Sequence, residues 1–196
     1  MTVYLVRHGK DDPGIRGGWS RQGLTPEGKI QAHMLADRLA ESPHTIDRVY
    51  SSDLPRASET AQILADVLAV PVQLLSEFRE ANNGDLAGMD NCLAEQLYPG
   101  LYWSALDFTE RYPNGESPET FHRRILRAWS AFRENIQHNT HQDAVLVTHG
   151  GVIEVILCME HGLEYSNKRK HFSIPHAEMI PIVLDSISPP QPQIAP

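Results

Sequence analysis

Two histidines in this chain stand in the same local setting. The apolar run Val3 to Val6 ends in Arg7-His8-Gly9, and the run Ala144 to Val147 ends in Thr148-His149-Gly150-Gly151. Each imidazole therefore falls just beyond a short apolar segment and is followed by glycine, which lets backbone and ligand approach closely. Arg7 precedes one histidine, and Arg56 lies in the first turn of a predicted helix. Guanidinium groups are permanent cations whose forked donors match phosphate oxygens. Neutral imidazole is a good nucleophile toward phosphorus, and the turn at Gly150-Gly151 leads into a helix whose free N–H groups favour an anion. Brought together, His8, His149, Arg7 and Arg56 would perform phosphoryl transfer through a phosphohistidine. Taken singly, each has an ordinary structural reading as a capping, loop or solvated residue.

The elements that would bring them together alternate between strand and helix. Val3 to Val6, Ile46 to Tyr50, Val72 to Leu75 and Ala144 to Val147 read as strands, with Met179 to Leu184 as a last one. Thr25-Pro26-Glu27-Gly28 opens a helix with a capping threonine and a proline in its first turn, and Ile30, Met34, Leu35 and Leu39 recur at helical spacing. Asp53 and Pro55 start a second, with Ala57, Ala61, Leu64, Ala65 and Leu68 along one face. Ser117-Pro118-Glu119 starts the clearest helix, whose stripe Phe121, Ile125, Ala128, Trp129, Phe132 and Ile136 reads as core packing. Another helix runs from about Val152 to Met159. Between residues 82 and 116 glycine and proline dissolve the pattern, which predicts a loop excursion with short helical pieces over the mouth of the site. The proline-rich tail from about 186 is expected to fray. Alternation of this kind predicts one α/β domain over 1–196, a three-layer α/β/α sandwich around a mostly parallel sheet. Such sheets bind ligands beyond the carboxyl ends of their strands, where both histidines fall.

Composition narrows the field. The 196 residues carry 17 Lys and Arg against 25 Asp and Glu, a formal net charge of −8, which argues against nucleic acid as a partner. No apolar run reaches bilayer length, and residues 1–7 lack a signal-peptide pattern, so no membrane association is expected. Cys92 and Cys158 make no disulfide scaffold and have no metal-ligand spacing. A cytoplasmic setting is expected, and nothing in the sequence specifies an oligomeric state.

Five ordered segments carry a family resemblance: Arg7-His8-Gly9; Gly23 to Gly28 running on to Gln31-Ala32; Ser51 to Ala61; Gly115-Glu116-Ser117; and Val147 to Gly151. In these the chain resembles the histidine phosphatase superfamily, in its phosphoglycerate-mutase-like branch. The resemblance implies that His8 is the phosphorylated nucleophile and that Arg7, Arg56 and His149 hold the phosphoryl oxygens. It places the proton donor in Phe78 to Gly84, as Glu80, with Arg79 in a structural or substrate-edge contact. It implies a small phosphorylated substrate, and neither cofactor nor metal. Lys10, Asp11, Asp12 and Gly14 depart from the family pattern after Arg-His-Gly, leaving one phosphate contact to be supplied by Arg16 or Ser20. Leu86 stands where an aromatic is usual. A phosphomonoesterase is the expected function, with a phosphoglycerate-type mutase as the nearest alternative. An idle phosphate-binding module and a metallohydrolase using His8, His149 and Glu80 are more distant ones. The other histidines, His176 among them, show no spacing that suggests a site. Lys168-Arg169-Lys170 reads as a solvated basic turn.

Overall fold

The computed structural model describes residues 1–139 and 142–184; the tail from about 186 lies outside them. Five strands form one sheet in the order β3-β2-β4-β1-β5: β1 (Thr2–Arg7), β2 (Ile46–Ser51), β3 (Val72–Leu74), β4 (Asp143–Thr148) and β5 (Met179–Val183). The first four run parallel, and β5 pairs antiparallel with β1 at the edge. Among the described residues there are five α-helices, α1 (Pro26–Ala40), α2 (Pro55–Leu68), α3 (Asn91–Leu97), α4 (Pro118–Asn139) and α5 (Gly150–Glu160), of which all but α3 pack on the sheet.

Alternation of side chains along the strands sorts the core into two layers. Val3, Leu5, Ala144 and Leu146 pack with α4 and α5, in a cluster that includes Phe121, Ile125, Trp129, Phe132 and Ile156. Tyr4, Val6, Val145 and Val147 point the other way, onto Leu35, Ala36, Leu39, Ala57, Ala61 and Leu64 of α1 and α2. The sheet is thus buried on both faces, as a parallel sheet needs to be. The helix α4 stripe packs as its spacing predicts.

Two local expectations are corrected. On α1, Ile30 and Met34 are 61% and 62% exposed, and Ala32 and Ala36 are buried in their stead. The small residues let α1 lie close against the alanine face of α2, which turns the longer side chains outward. Asp53 does not cap α2; the cap position is Leu54 and makes no side-chain bond. The Asp53 carboxylate instead pairs with Arg79, whose guanidinium also lies over the Trp19 ring.

The excursion over 82–116 has structure of its own. It holds a 3-10 turn at Gly84–Leu86, the helix α3 capped by Asp90, and a small cluster of Leu86, Leu106 and Tyr112. Leu86, at 1% exposed, thus fills a core where its position had read as a weakened motif.

Trp129 is fully buried and donates from Nε1 to Glu160 Oε1 at 2.6 Å, joining α4 to the end of α5. Trp129→Ala is expected to cost about 3–5 kcal/mol of stability by cavity formation. A urea-unfolding midpoint unchanged from wild type would contradict this packing.

Candidate active site

The pairing register of β1 with β4 sets the site. Val6 lies opposite Val147 and Arg7 opposite Thr148, so His8 and His149 leave the sheet side by side. His8 N donates to Thr148 O at 3.0 Å, and the two imidazole centroids are 5.0 Å apart. On the far side of β4, Ser52 N donates to Val147 O at 2.9 Å, which brings the start of α2 and Arg56 to the same end of the sheet.

His8 is 4% exposed. Its Nδ1 lies 2.7 Å from Gly9 O, an acceptor that makes Nδ1 the protonated nitrogen and leaves the Nε2 lone pair free. Arg56 Nε donates to that Nε2 at 3.2 Å. The rest of the Arg56 fork is fixed by Gly18 O at 2.8 Å and Ser20 Oγ at 3.4 Å. His149 Nε2 meets Ser52 Oγ at 2.9 Å, while its Nδ1 is buried with no partner. Arg7 donates from Nη1 to Ile174 O at 2.7 Å, and its Nε is likewise buried and unpartnered. Unmatched nitrogens on Arg7 and His149 leave the cradle short of an acceptor, which a phosphoryl group would provide.

Burial and the neighbouring positive charges shape the titration of these groups. Desolvation first, then the Arg56 guanidinium, holds His8 well below the usual imidazole range, and the same two causes act on His149. Burial also lowers Arg7 and Arg56 from the ordinary arginine value, against the pull of nearby Asp11 and Glu80.

Glu80 reaches the site from the extended segment just after the 3-10 turn Ser76–Phe78, which follows β3. Ala81 N donates to its Oε1 at 3.0 Å and Gly151 N to its Oε2 at 3.1 Å. A β-carbon on Gly151 would fall 2.4 Å from Glu80 Oε1, so only glycine permits this approach. The backbone at Glu80 is clamped from α4. Arg124 is paired with Glu116 and donates to the carbonyls of Glu77 (2.8 Å), Arg79 (3.0 Å) and Glu80 (3.1 Å). Trp19 Nε1 donates to Glu80 O at 2.7 Å.

The remaining motif residues support the Arg7-His8-Gly9 loop. Thr60 Oγ1 accepts from Gly9 N at 3.0 Å, Gln31 Oε1 accepts from Lys10 N at 2.9 Å, and Thr25 Oγ1 donates to Lys10 O at 2.9 Å. A β-carbon on Gly9 would sit 2.3 Å from Gly28 O and one on Gly28 would sit 2.1 Å from Lys10 O, which explains glycine at both positions. Glu59 Oε2 accepts from Leu24 N at 3.1 Å.

The structure thus brings together Arg7, His8, Arg56, Glu80 and His149. It separates Arg16 from them: that guanidinium lies over the Tyr102 ring at 4.1 Å and is 3.9 Å from Glu95. Ser20 does reach the cradle, through Arg56. Of the basic turn, Lys168 pairs with Asp107 at 2.8 Å.

Two residues not read as site residues also converge here. His176, from the segment before β5, has its ring centroid 5.5 Å from that of His8, which corrects the expectation that it has no place in a site. Asp11 lies 3.4 Å from Arg56 Nε and 3.9 Å from His176 Nε2. His8, Asp11 and His176 offer possible metal-ligand atoms within 4.8 Å of one another. This is not the trio His8, His149 and Glu80 of the metallohydrolase alternative. A cation there would face the Arg56 guanidinium, which already donates to His8 Nε2, so the charge pattern suits an anion.

Buried imidazoles and guanidinium groups converging at the carboxyl ends of parallel strands define an anion-binding histidine site on a three-layer α/β/α fold. The chain belongs to the histidine phosphatase superfamily (branch 1), whose pattern matches residues 3–187. It is similar to the adenosylcobalamin/alpha-ribazole phosphatase of Salmonella typhimurium, 31% identical over 166 residues that cover 80% of this chain and 78% of that protein. It is also similar to the 2,3-bisphosphoglycerate-dependent phosphoglycerate mutase of Bartonella bacilliformis, 30% identical over 172 residues, 83% and 82% of the two chains. Among solved structures, the alpha-ribazole phosphatase from Shigella flexneri superimposes with a TM-score of 0.80 at 26% identity, covering 94% of this chain and 91% of that one. Among the described residues no helix is long and apolar enough to cross a membrane.

The lowered His8 and His149 values have a definite sign. The unfolded chain takes up protons on both rings near pH 6.5 while the folded chain does not. The stability linked to them is complete above about 6.5 and declines as pH falls toward the folded values. Nitrogen NMR of labelled histidines should show both rings still neutral at pH 6.5. A His8 midpoint at or above that pH would contradict the burial described.

Proposed function

We propose that the protein is a metal-independent phosphomonoesterase that passes a phosphoryl group from its substrate to His8 and then to water. The observation that carries this reading is His8 itself: Nδ1 anchored on Gly9 O, Nε2 unprotonated, and a permanent cation 3.2 Å from that Nε2. Phosphatases among its relatives support the reaction class.

In the first step His8 Nε2 forms a bond to phosphorus as the bond from phosphorus to the ester oxygen breaks. Arg7, Arg56 and His149 hold the non-bridging oxygens and stabilise their charge, as preorganised donors do. Holding the phosphate in line contributes up to roughly 7–11 kcal/mol through positioning. Glu80, protonated at that moment, gives its proton to the departing oxygen. In the second step a water attacks phosphorus, its proton goes to Glu80, and the bond from Nε2 to phosphorus breaks. Free phosphate leaves and His8 is neutral again. No metal is required, because Arg7 and Arg56 supply the charge neutralisation. The substrate is a small phosphorylated metabolite, with neither nucleic acid nor membrane as partner. Two unpaired thiols, exposed Cys92 and buried Cys158, fit the reducing cytoplasm.

Relatives named as mutases keep phosphoglycerate-type transfer as the alternative outcome. Phosphate release from phosphomonoesters should vanish in His8→Ala, and labelled phosphate should be trapped on wild type after rapid quenching. Glu80→Gln is expected to lower kcat by about 10²–10⁴-fold. Activity should survive exhaustive chelation. Isomerisation of a phosphoglycerate faster than phosphate release would give the protein to the mutases instead.

A further inference from the structure

Glu154 sits in α5, one turn beyond the Gly150-Gly151 corner, and is 5% exposed. Its Oε1 accepts a hydrogen bond from His171 N at 2.6 Å, but its Oε2 is buried with no partner. A buried acceptor left unmatched is costly, and at a protein surface cleft it calls for a donor from outside the chain. Oε2 belongs to a side chain that lines a cavity of about 90 Å³, together with Arg7, Gly151, Trp103, Tyr165 and Phe172. Two of these walls, Arg7 and Gly151, also border the His8 site, Gly151 through its bond to Glu80. The cavity is therefore a side chamber of the phosphate cradle.

Tyr165 supplies the complementary group. Its hydroxyl oxygen accepts from Trp103 Nε1 at 3.4 Å, and no acceptor for its own proton occurs among the described contacts. Burial keeps this phenol protonated. An unmatched acceptor and an unmatched donor on one small chamber are complementary to a group that both donates and accepts, which is a hydroxyl. An ammonium group has donors alone and would lie beside Arg7, with Lys170 also on the cavity lining. A carboxylate or second phosphate has acceptors alone and would face Glu154. An alkyl group would leave both atoms unmatched. The volume holds about three water-sized groups, the size of a short polyol arm.

We infer that this chamber receives the leaving alcohol, and that Glu154 with Tyr165 selects phosphate esters of hydroxyl-bearing alcohols. The inference rests on the phosphomonoesterase reading and names the class of substrate for the same site. The alcohol hydroxyl donates to Glu154 Oε2 and accepts from the Tyr165 hydroxyl, while the phosphate lies on Arg7 and Arg56.

The test compares glycerol 3-phosphate with propyl phosphate, which has the same carbon chain without hydroxyls. Wild type should favour the glycerol ester in kcat/KM by at least about tenfold, since sites built to bond a hydroxyl reject analogues that lack it. O-Phosphoethanolamine should be no better than propyl phosphate. Glu154→Gln keeps an oxygen for His171 N but turns the free acceptor into a donor, and should reduce the preference by about tenfold. Equal kcat/KM for the two esters, or a preference unchanged in Glu154→Gln, would overturn the inference while leaving the phosphatase reading intact. If no ester releases phosphate, the phosphatase reading fails. Calorimetric affinities of the same two esters for the wild-type protein then decide: tighter binding of the glycerol ester supports the chamber, and equal binding overturns it.

Discussion

Concentrating positive charge in a place without water is the constraint around which this structure is arranged. Arg56 is 2% exposed and His8 and His149 are nearly or wholly buried within a few ångströms of it. Two kinds of solution coexist. The imidazoles give up their charge, because desolvation and the guanidinium groups both oppose protonation. The arginines cannot, so they are held by carbonyls and hydroxyls and by the nearby carboxylate of Asp11. What remains is a set of oriented N–H groups and lone pairs with incomplete coordination. A dianionic phosphoryl group completes it, and the same neutrality that burial imposes on His8 makes its ring nucleophilic. Folding energetics and chemical reactivity thus have one origin.

Around this centre the motif residues divide into those that face the ligand and those that fix the ones that do. Thr25, Gln31 and Thr60 act on the backbone of the Arg7-His8-Gly9 loop, and Gly9 and Gly28 allow two backbones to touch. Arg124 does for Glu80 what these do for His8. By collecting the carbonyls of Glu77, Arg79 and Glu80 from the segment after β3, it sets the depth at which the carboxylate enters. Its pairing with Glu116 ties that segment to the end of the excursion over 82–116, so Glu80 and that excursion share one anchor.

Sequence reading succeeded where local pattern and position coincide. A histidine at the end of an apolar run followed by glycine is visible as such, and the parallel-sheet rule then places it; His8 and His149 were found this way. Arg56 entered through its place in the first turn of a predicted helix and gained meaning in combination with the histidines, whereas Glu80 needed the family resemblance, since alone it reads as a solvated residue. His176, Arg124 and Glu154 were missed because tertiary contacts across many residues position them and no short-range spacing marks them, while Asp11, three residues after His8, read only as a departure from the family pattern. Glu154 even lies inside a hydrophobic helix, where a single carboxylate surrounded by Val152, Ile153, Val155 and Ile156 was the available signal. The half of the α1 stripe that fails has a similar cause. Periodicity reports which residues are apolar, but packing of Ala36 with Ala57 and Ala61 of α2 goes with Leu35 and Leu39 facing inward while Ile30 and Met34 face out.

The C-terminal edge of the sheet has a consequence for biogenesis. Arg7 is oriented by Ile174, its carbonyl accepts from Ala177 N at 2.9 Å, and the His176 ring lies 5.5 Å from that of His8. All three contacts come from a stretch synthesised at least 160 residues after the histidine it serves, because ribosomes build chains from the amino end. Until that stretch emerges, β1 offers a bare edge to the solvent and the cradle lacks one wall. A nascent chain can therefore assemble most of its layers and still be unable to grip an anion until that stretch has been made.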